Sequence, residues 1–242
     1  MSWPETGSGQ GDTATVLLRC GAVGPPLFAV AFLVQGALRP NYSSLRHPVS
    51  SLALGDFGWV QSVNFIVAGV LLFAFAVGLR PALRRYGGGI AAPLLVGAVA
   101  IGLVGAGVFA ADPVSGYPPG TPNALAYTTR GVLHDVFSIP VFTALPAACG
   151  VLGYRFTRTG HGWLAVYSVG TAVLLLTGFA LASMGFSQHA ALMPVGGLIQ
   201  RITLVIGLAW LTTLALWLLA SKTSAHSRGA VGTSDTPPST SM

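Results

Sequence analysis

Three of the five histidines and three aspartates carry the most reactive chemistry in this chain: His47, Asp56, Asp112, His134, Asp135 and His189. Three neutral imidazoles and a water complete the open four-coordinate site of a catalytic zinc, and a carboxylate beside that water serves as general base or orients a ligating ring. On that chemistry His47, His134 and His189 are the candidate zinc ligands, with Asp112 and Asp135 as candidate catalytic base and orienting group. The rings lie on separate segments without diagnostic spacing. No phosphate loop, dinucleotide fingerprint, H-E-x-x-H helix or G-x-S-x-G elbow accompanies them. Any site must come from distant segments brought together by the fold.

Hydroxyls and arginines cluster around the same groups. His47 sits in "RPNYSSLRHPVSSLALGDFGW", residues 39 to 59, where Ser50 and Ser51 are candidate substrate-binding hydroxyls. At about 20 residues this stretch is longer than a plain connection. In "TTRGVLHDVFS", Arg130, His134 and Ser138 recur every fourth residue, which places them on one helix face with Asp135 beside them. "ASMGFSQHAALMPVGGLIQR" adds Ser183, Ser187, Gln188, His189, Gln200 and Arg201. Arg130, Ser138 and Arg201 join the substrate-binding candidates. A purely structural role is open to each: Asp112 as a cap for backbone donors in the loop after it, Asp135 as a partner of Arg130 or Arg201.

The elements that must hold these residues follow from composition. Charged residues make up 7% of the chain and hydrophobic ones 52%, with a mean hydropathy of +0.71, whereas a soluble domain carries roughly 25% charge. Such a chain cannot cover a water-facing surface. Six apolar stretches, near residues 17–38, 59–79, 89–111, 131–153, 163–185 and 199–220, approach the roughly 20 residues that span a bilayer as helix. They lack the alternation of barrel strands, so the expected fold class is all-α: an integral membrane bundle of six transmembrane helices over residues 16–221. Residues 1–15, without a basic n-region, read as a disordered tail ahead of a retained first helix. Residues 222–242, small and polar, read as a second.

Six spans put both termini on one side. There, Arg19, Arg80, Arg84, Arg85, Arg155, Arg158, Lys222 and Arg228 outnumber Arg39, Arg46, Arg130 and Arg201 on the other. The positive-inside bias assigns both termini to the cytoplasm in a cell membrane and the histidine and aspartate candidates to the outer face. The net charge of +6 then meets anionic lipid and requires no nucleic-acid partner. Cys20 and Cys149 fall toward the reducing side, as small core residues.

Within the helices, Pro25, Pro26, Pro140 and Pro146 predict bends. Ala98, Gly102, Ala106 and Ala110 form a small-residue packing stripe. Trp59 and Trp163 lie at interfacial positions. Gln61 and Asn64, at i and i+3, read as an interhelical hydrogen bond or as the floor of a polar pocket.

The blocks "HPVSSLALGDFGWVQSVNFIVAGVLL", "GVFAADPVSGYPPGTP" and "GVLHDVFSIPVF" resemble the bacterial and archaeal membrane family called domain-of-unknown-function family 998. The resemblance covers roughly residues 16 to 220. It implies a six-helix membrane protein of unassigned activity, with His47, Pro48, Ser50, Asp112, Gly116, Pro118, Gly120, His134 and Asp135 as motif positions. Three functions stay open: a multi-pass membrane protein of unassigned activity with an outward-facing polar His/Asp site, a metal-dependent hydrolase or transferase acting on a lipid, with zinc as candidate metal and a lipid as candidate ligand, and a small-solute carrier or lipid-binding accessory protein. Neither substrate nor oligomeric state is written in the residues.

Overall fold

Every apolar stretch becomes a helix, because a backbone in hydrocarbon must satisfy its own hydrogen bonds. A computed structural model describes the chain over residues 8–86 and 89–231. Its six long helices are α1 (Ser8–Leu38), α2 (Gly58–Ala82), α3 (Ala91–Val108), α4 (Thr129–Arg158), α5 (Gly162–Phe186) and α6 (Gly196–Val231). All six are long and apolar enough to cross a membrane, and the described residues form no strand. α1 and α6 run on into the stretches assigned above to tails, whose residues 1–7 and 232–242 lie outside the described part.

Each helix packs against its neighbours in sequence, and α6 returns to α1, closing a ring. α1 and α4 remain continuous through their prolines. The ring turns valines and leucines outward: Val30 and Leu33 on α1, Val70 and Phe73 on α2, and Val166 and Val173 on α5 are all about half exposed or more. Only lipid suits that surface.

The small-residue stripe on α3 is a packing face. A Cβ on Gly102 would lie 2.5 Å from the Phe137 carbonyl of α4, and one on Gly105 would fall inside the Phe137 ring. Without side chains there, α3 and α4 approach closely and gain dispersion contacts. Gln61 and Asn64 join α2 to α1: Gln35 Nε2 donates to Gln61 Oε1 at 2.8 Å, and Asn64 Nδ2 donates to the Phe28 carbonyl at 3.3 Å.

Toward the termini the ring is filled. Phe75, Leu152, Phe156, Trp210 and Leu218 are buried, and Trp210 Nε1 donates to Ser168 Oγ at 2.9 Å. His161 lies against Tyr86 and Trp217, with ring centroids 5.2 Å from each. At this end Lys222 Nζ donates to Thr15 Oγ1 at 2.6 Å, tying α6 to α1. The free Cys149 is buried and Cys20 half-buried. The opposite, distal end is built differently.

Candidate functional site at the distal end

The distal connections are held by arginines that donate to carbonyls. Arg39 reaches the carbonyls of Leu52 at 3.1 Å, Leu54 at 3.2 Å and Phe57 at 3.0 Å, closing the first connection around its 3-10 turn, Val49–Ala53. Arg201 is buried. Its guanidinium donates to the carbonyls of Ser44 at 2.7 Å, His47 at 2.9 Å and Gly197 at 2.9 Å, and to the Tyr42 hydroxyl. Arg46 donates to Asn123 Oδ1 at 2.9 Å, reaching the third-to-fourth connection. A planar fork with five donors suits this work. Arg201, expected to bind substrate, instead pins the first connection to the top of α6. Gln200 helps, accepting from the Val49 backbone N–H at 2.8 Å.

His47 is locked into that cap. Its Nδ1 accepts from the Ser43 N–H at 2.9 Å, and its ring lies 5.3 Å from Tyr42 and 5.1 Å from Tyr117. Burial holds its pKa below the usual histidine value, a hydrogen bond with the Ser115 backbone partly offsets this, and the Arg46 and Arg201 charges add to the lowering. His47 is therefore the neutral Nε2–H tautomer. Burial also pushes the Tyr42 hydroxyl up to about 12, against the pull of Arg201. It stays protonated and donates to the Pro48 carbonyl at 2.9 Å.

Asp112 and His134 bind the ends of α3 and α4 to each other. Thr128 is the N-cap of α4, its hydroxyl accepting from the Gly131 N–H at 3.1 Å. Asp112 then accepts from the Thr128 N–H at 2.8 Å and from the Thr128 hydroxyl at 2.6 Å. Gly131 is required here, since a Cβ would occupy the place of the Asp112 carboxylate. In return, His134 Nδ1 on α4 lies 3.1 Å from the Ala106 carbonyl and 2.8 Å from the Phe109 carbonyl. Those carbonyls are at the C-terminal end of α3, where helix acceptors lose their intrahelical donors. Both partners are acceptors, so Nδ1 carries a hydrogen and only Nε2 can accept. Asp112, expected as a catalytic base, caps backbone donors.

Between these tied segments lies a cavity of about 480 Å³. Ser50, Asp112, His134, Asp135 and Ser138 line it, joined by Ser183, Ser187, Gln188 and Gln200. Its character changes along the helices. Ser138 on α4 lies one turn above Phe142, Ser183 on α5 one turn above Phe179, and Gln200 on α6 one turn above Leu204, all six facing the same space. On three helices, polar lining gives way to apolar lining over about 6 Å. Phe142 and Phe179 stack across the α4–α5 seam with centroids 4.5 Å apart. Tyr127 and Ile139 line the cavity and are also exposed on the bundle surface.

The three candidate zinc ligands stand apart. Among the described residues no three His, Cys, Asp or Glu side chains are grouped to hold a metal ion. His47 is held between tyrosines outside the cavity, His134 lends Nδ1 to α3, and His189 is exposed in the turn after α5, where its carbonyl accepts from Met193 N at 2.8 Å. Ser51 is buried without facing the cavity, and Arg130 is exposed away from it. The structure brings together Ser50, Asp112, His134, Asp135 and Ser138. The aromatic floor went unread, although Ser138 and Phe142 stand at helical spacing on one face.

A ring of six membrane-crossing helices with an amphipathic cavity at the end opposite its termini defines a multi-pass helical membrane protein. The family model described as "Protein of unknown function (DUF998)" matches residues 22–217, and the chain belongs to that family. No curated protein and no solved structure matches the chain.

Proposed function

We propose that the protein is a cell-membrane protein, both termini cytoplasmic, whose outward-facing cavity binds a lipid-like amphiphile entering from the outer leaflet. The observation that carries this reading is the matched switch from polar to apolar lining at Ser138/Phe142, Ser183/Phe179 and Gln200/Leu204. A head group at Ser50, His134, Asp135 and Ser138 exchanges water for hydrogen bonds, while a chain packs on Phe142 and Phe179. Lining residues exposed on the bundle surface, Tyr127 and Ile139, suit a ligand already dissolved in the bilayer. The packed half toward the termini supports binding over a through-pathway, because a carrier needs polar residues at mid-membrane.

A second reading is supported by His134. With Nδ1 held by two carbonyls, Nε2 is a basic atom beside Asp135 and Ser138 in a cavity lined by all three. That arrangement suits proton abstraction during hydrolysis or group transfer on the bound lipid without a metal.

The test is native mass spectrometry of the protein in nanodiscs with a long-chain alcohol as probe. Wild-type protein is expected to retain the alcohol, and Ser183→Trp, which fills the cavity, to lose at least tenfold in affinity, about 1.4 kcal/mol. Equal retention by a folded Ser183→Trp variant overturns the assignment.

A further inference from the structure

The polar end of the cavity is one-sided in charge. It holds two carboxylates, a histidine, serines and glutamines, and among the described residues neither a lysine nor an arginine lines it. The distal arginines nearest to it are engaged elsewhere: Arg39 and Arg201 on carbonyls, Arg46 on Asn123. Arg130 points away.

The acceptors also differ in what they have left to give. Asp112 is taken up by Thr128. Asp135 accepts no hydrogen bond from the described residues, and the ionisable groups that act on it are His134 and Asp112, neither a fixed cation. His134 is buried at 3% exposure with Nε2 unpartnered, and it lines the same cavity. The carboxylate of the exposed Asp135 and His134 Nε2 therefore line one space in which the donors among the described residues are neutral hydroxyls and amides, none of them a cation. Ionisable groups at membrane depth are costly unless paired, and an acid-lined cleft between low-dielectric walls concentrates cations and repels anions.

We propose that the cavity selects a membrane-dissolved amphiphile whose head is a cationic amine, held by the Asp135 carboxylate and His134 Nε2. Ser50 and Ser138 accept its remaining N–H groups. Phosphate and carboxylate heads are excluded for want of any cation to receive them. This inference rests on the amphiphile-binding reading above and specifies its ligand.

The experiment compares an alkyl amine, the alcohol and the carboxylic acid of one chain length, each displacing a fluorescent long-chain alcohol from the protein in nanodiscs of neutral lipid. The amine is expected to bind at least about tenfold more tightly than the acid, an interval that one partly screened charge contact accounts for. Asp135→Asn removes that preference, read as the ratio of amine to acid affinity on the same variant. Ser138→Lys, which sets an ammonium in the cavity, reverses it. If the alcohol binds but amine and acid bind equally, the charge selectivity is wrong and the amphiphile site stands. If none of the three displaces the probe, or the probe itself does not bind, both readings fall. Should Asp135→Asn not fold, the ranking of the three ligands on wild-type protein and on Ser138→Lys decides the matter.

Discussion

His47 shows how a reactive side chain becomes a structural one. Nδ1 accepts from a backbone N–H, so a second proton on the ring would face a donor with a donor. The unfolded chain takes that proton near 6.5 and the folded chain at a lower pH. The stability from neutral His47 is therefore complete above 6.5 and falls as pH drops through the folded value. Melting temperature in detergent should decline as pH drops below about 6.5. His47→Gln, which keeps an acceptor for Ser43, should flatten that slope, and a slope equal to wild type would mean that another group titrates. The arginines follow a similar logic. Their partners are main-chain carbonyls, which are present at every residue and leave no mark in sequence. Arg201 could be placed at the top of α6 from sequence but could not be seen to reach Ser44 and His47.

At the level of elements, α3 and α4 are tied at their distal ends and close along their length. Gly105 makes the approach possible, because a Cβ there meets Phe137, whereas Gly97 on the same helix has no neighbour nearer than the Ala76 methyl at 3.9 Å. The two glycines predict opposite signs. Gly105→Ala should destabilise by about 1–3 kcal/mol through overpacking, and Gly97→Ala should be neutral or stabilise by up to about 1 kcal/mol through helix propensity. Thermal unfolding of both variants in one detergent checks this, and equal shifts would place the helix contact elsewhere. The small-residue stripe was readable because close packing in lipid selects for size. The reciprocal ties were half readable: an acid at the end of an apolar run announces a cap. Which carbonyls His134 would meet depended on a ring orientation that spacing does not encode.

For the whole molecule, composition was enough to obtain six helices, since a chain with 7% charged residues has no other way to be solvated. The ring order and the amphipathic cavity came from packing alone. The structure also sharpens the charge asymmetry. Arg39, Arg46 and Arg201 are folded into the distal cap, while Arg19, Arg80, Arg84 and Arg158 toward the termini are exposed. The freely solvated positive charge thus lies mostly at one end, which the positive-inside rule assigns to the cytoplasm. A C-terminal fusion to a reporter that fluoresces only in the cytoplasm should be bright, and a fusion to a phosphatase active only outside should be inactive. The reverse pair of results would turn the cavity toward the cell interior.

The closed ring has a further consequence for how the protein is made. The cavity takes Phe28 from α1, Phe65 from α2, Leu103 from α3, His134 from α4, Phe179 from α5 and Leu204 from α6. Helices enter the bilayer one after another as the chain is synthesised, and α1 must wait in lipid for α6, its partner across the seam. Until then the first five helices form an open arc with a gap where the last wall belongs. A ribosome that stalls before the sixth helix leaves a product that lacks the wall closing the cavity, so the cavity takes shape only when the sixth helix arrives.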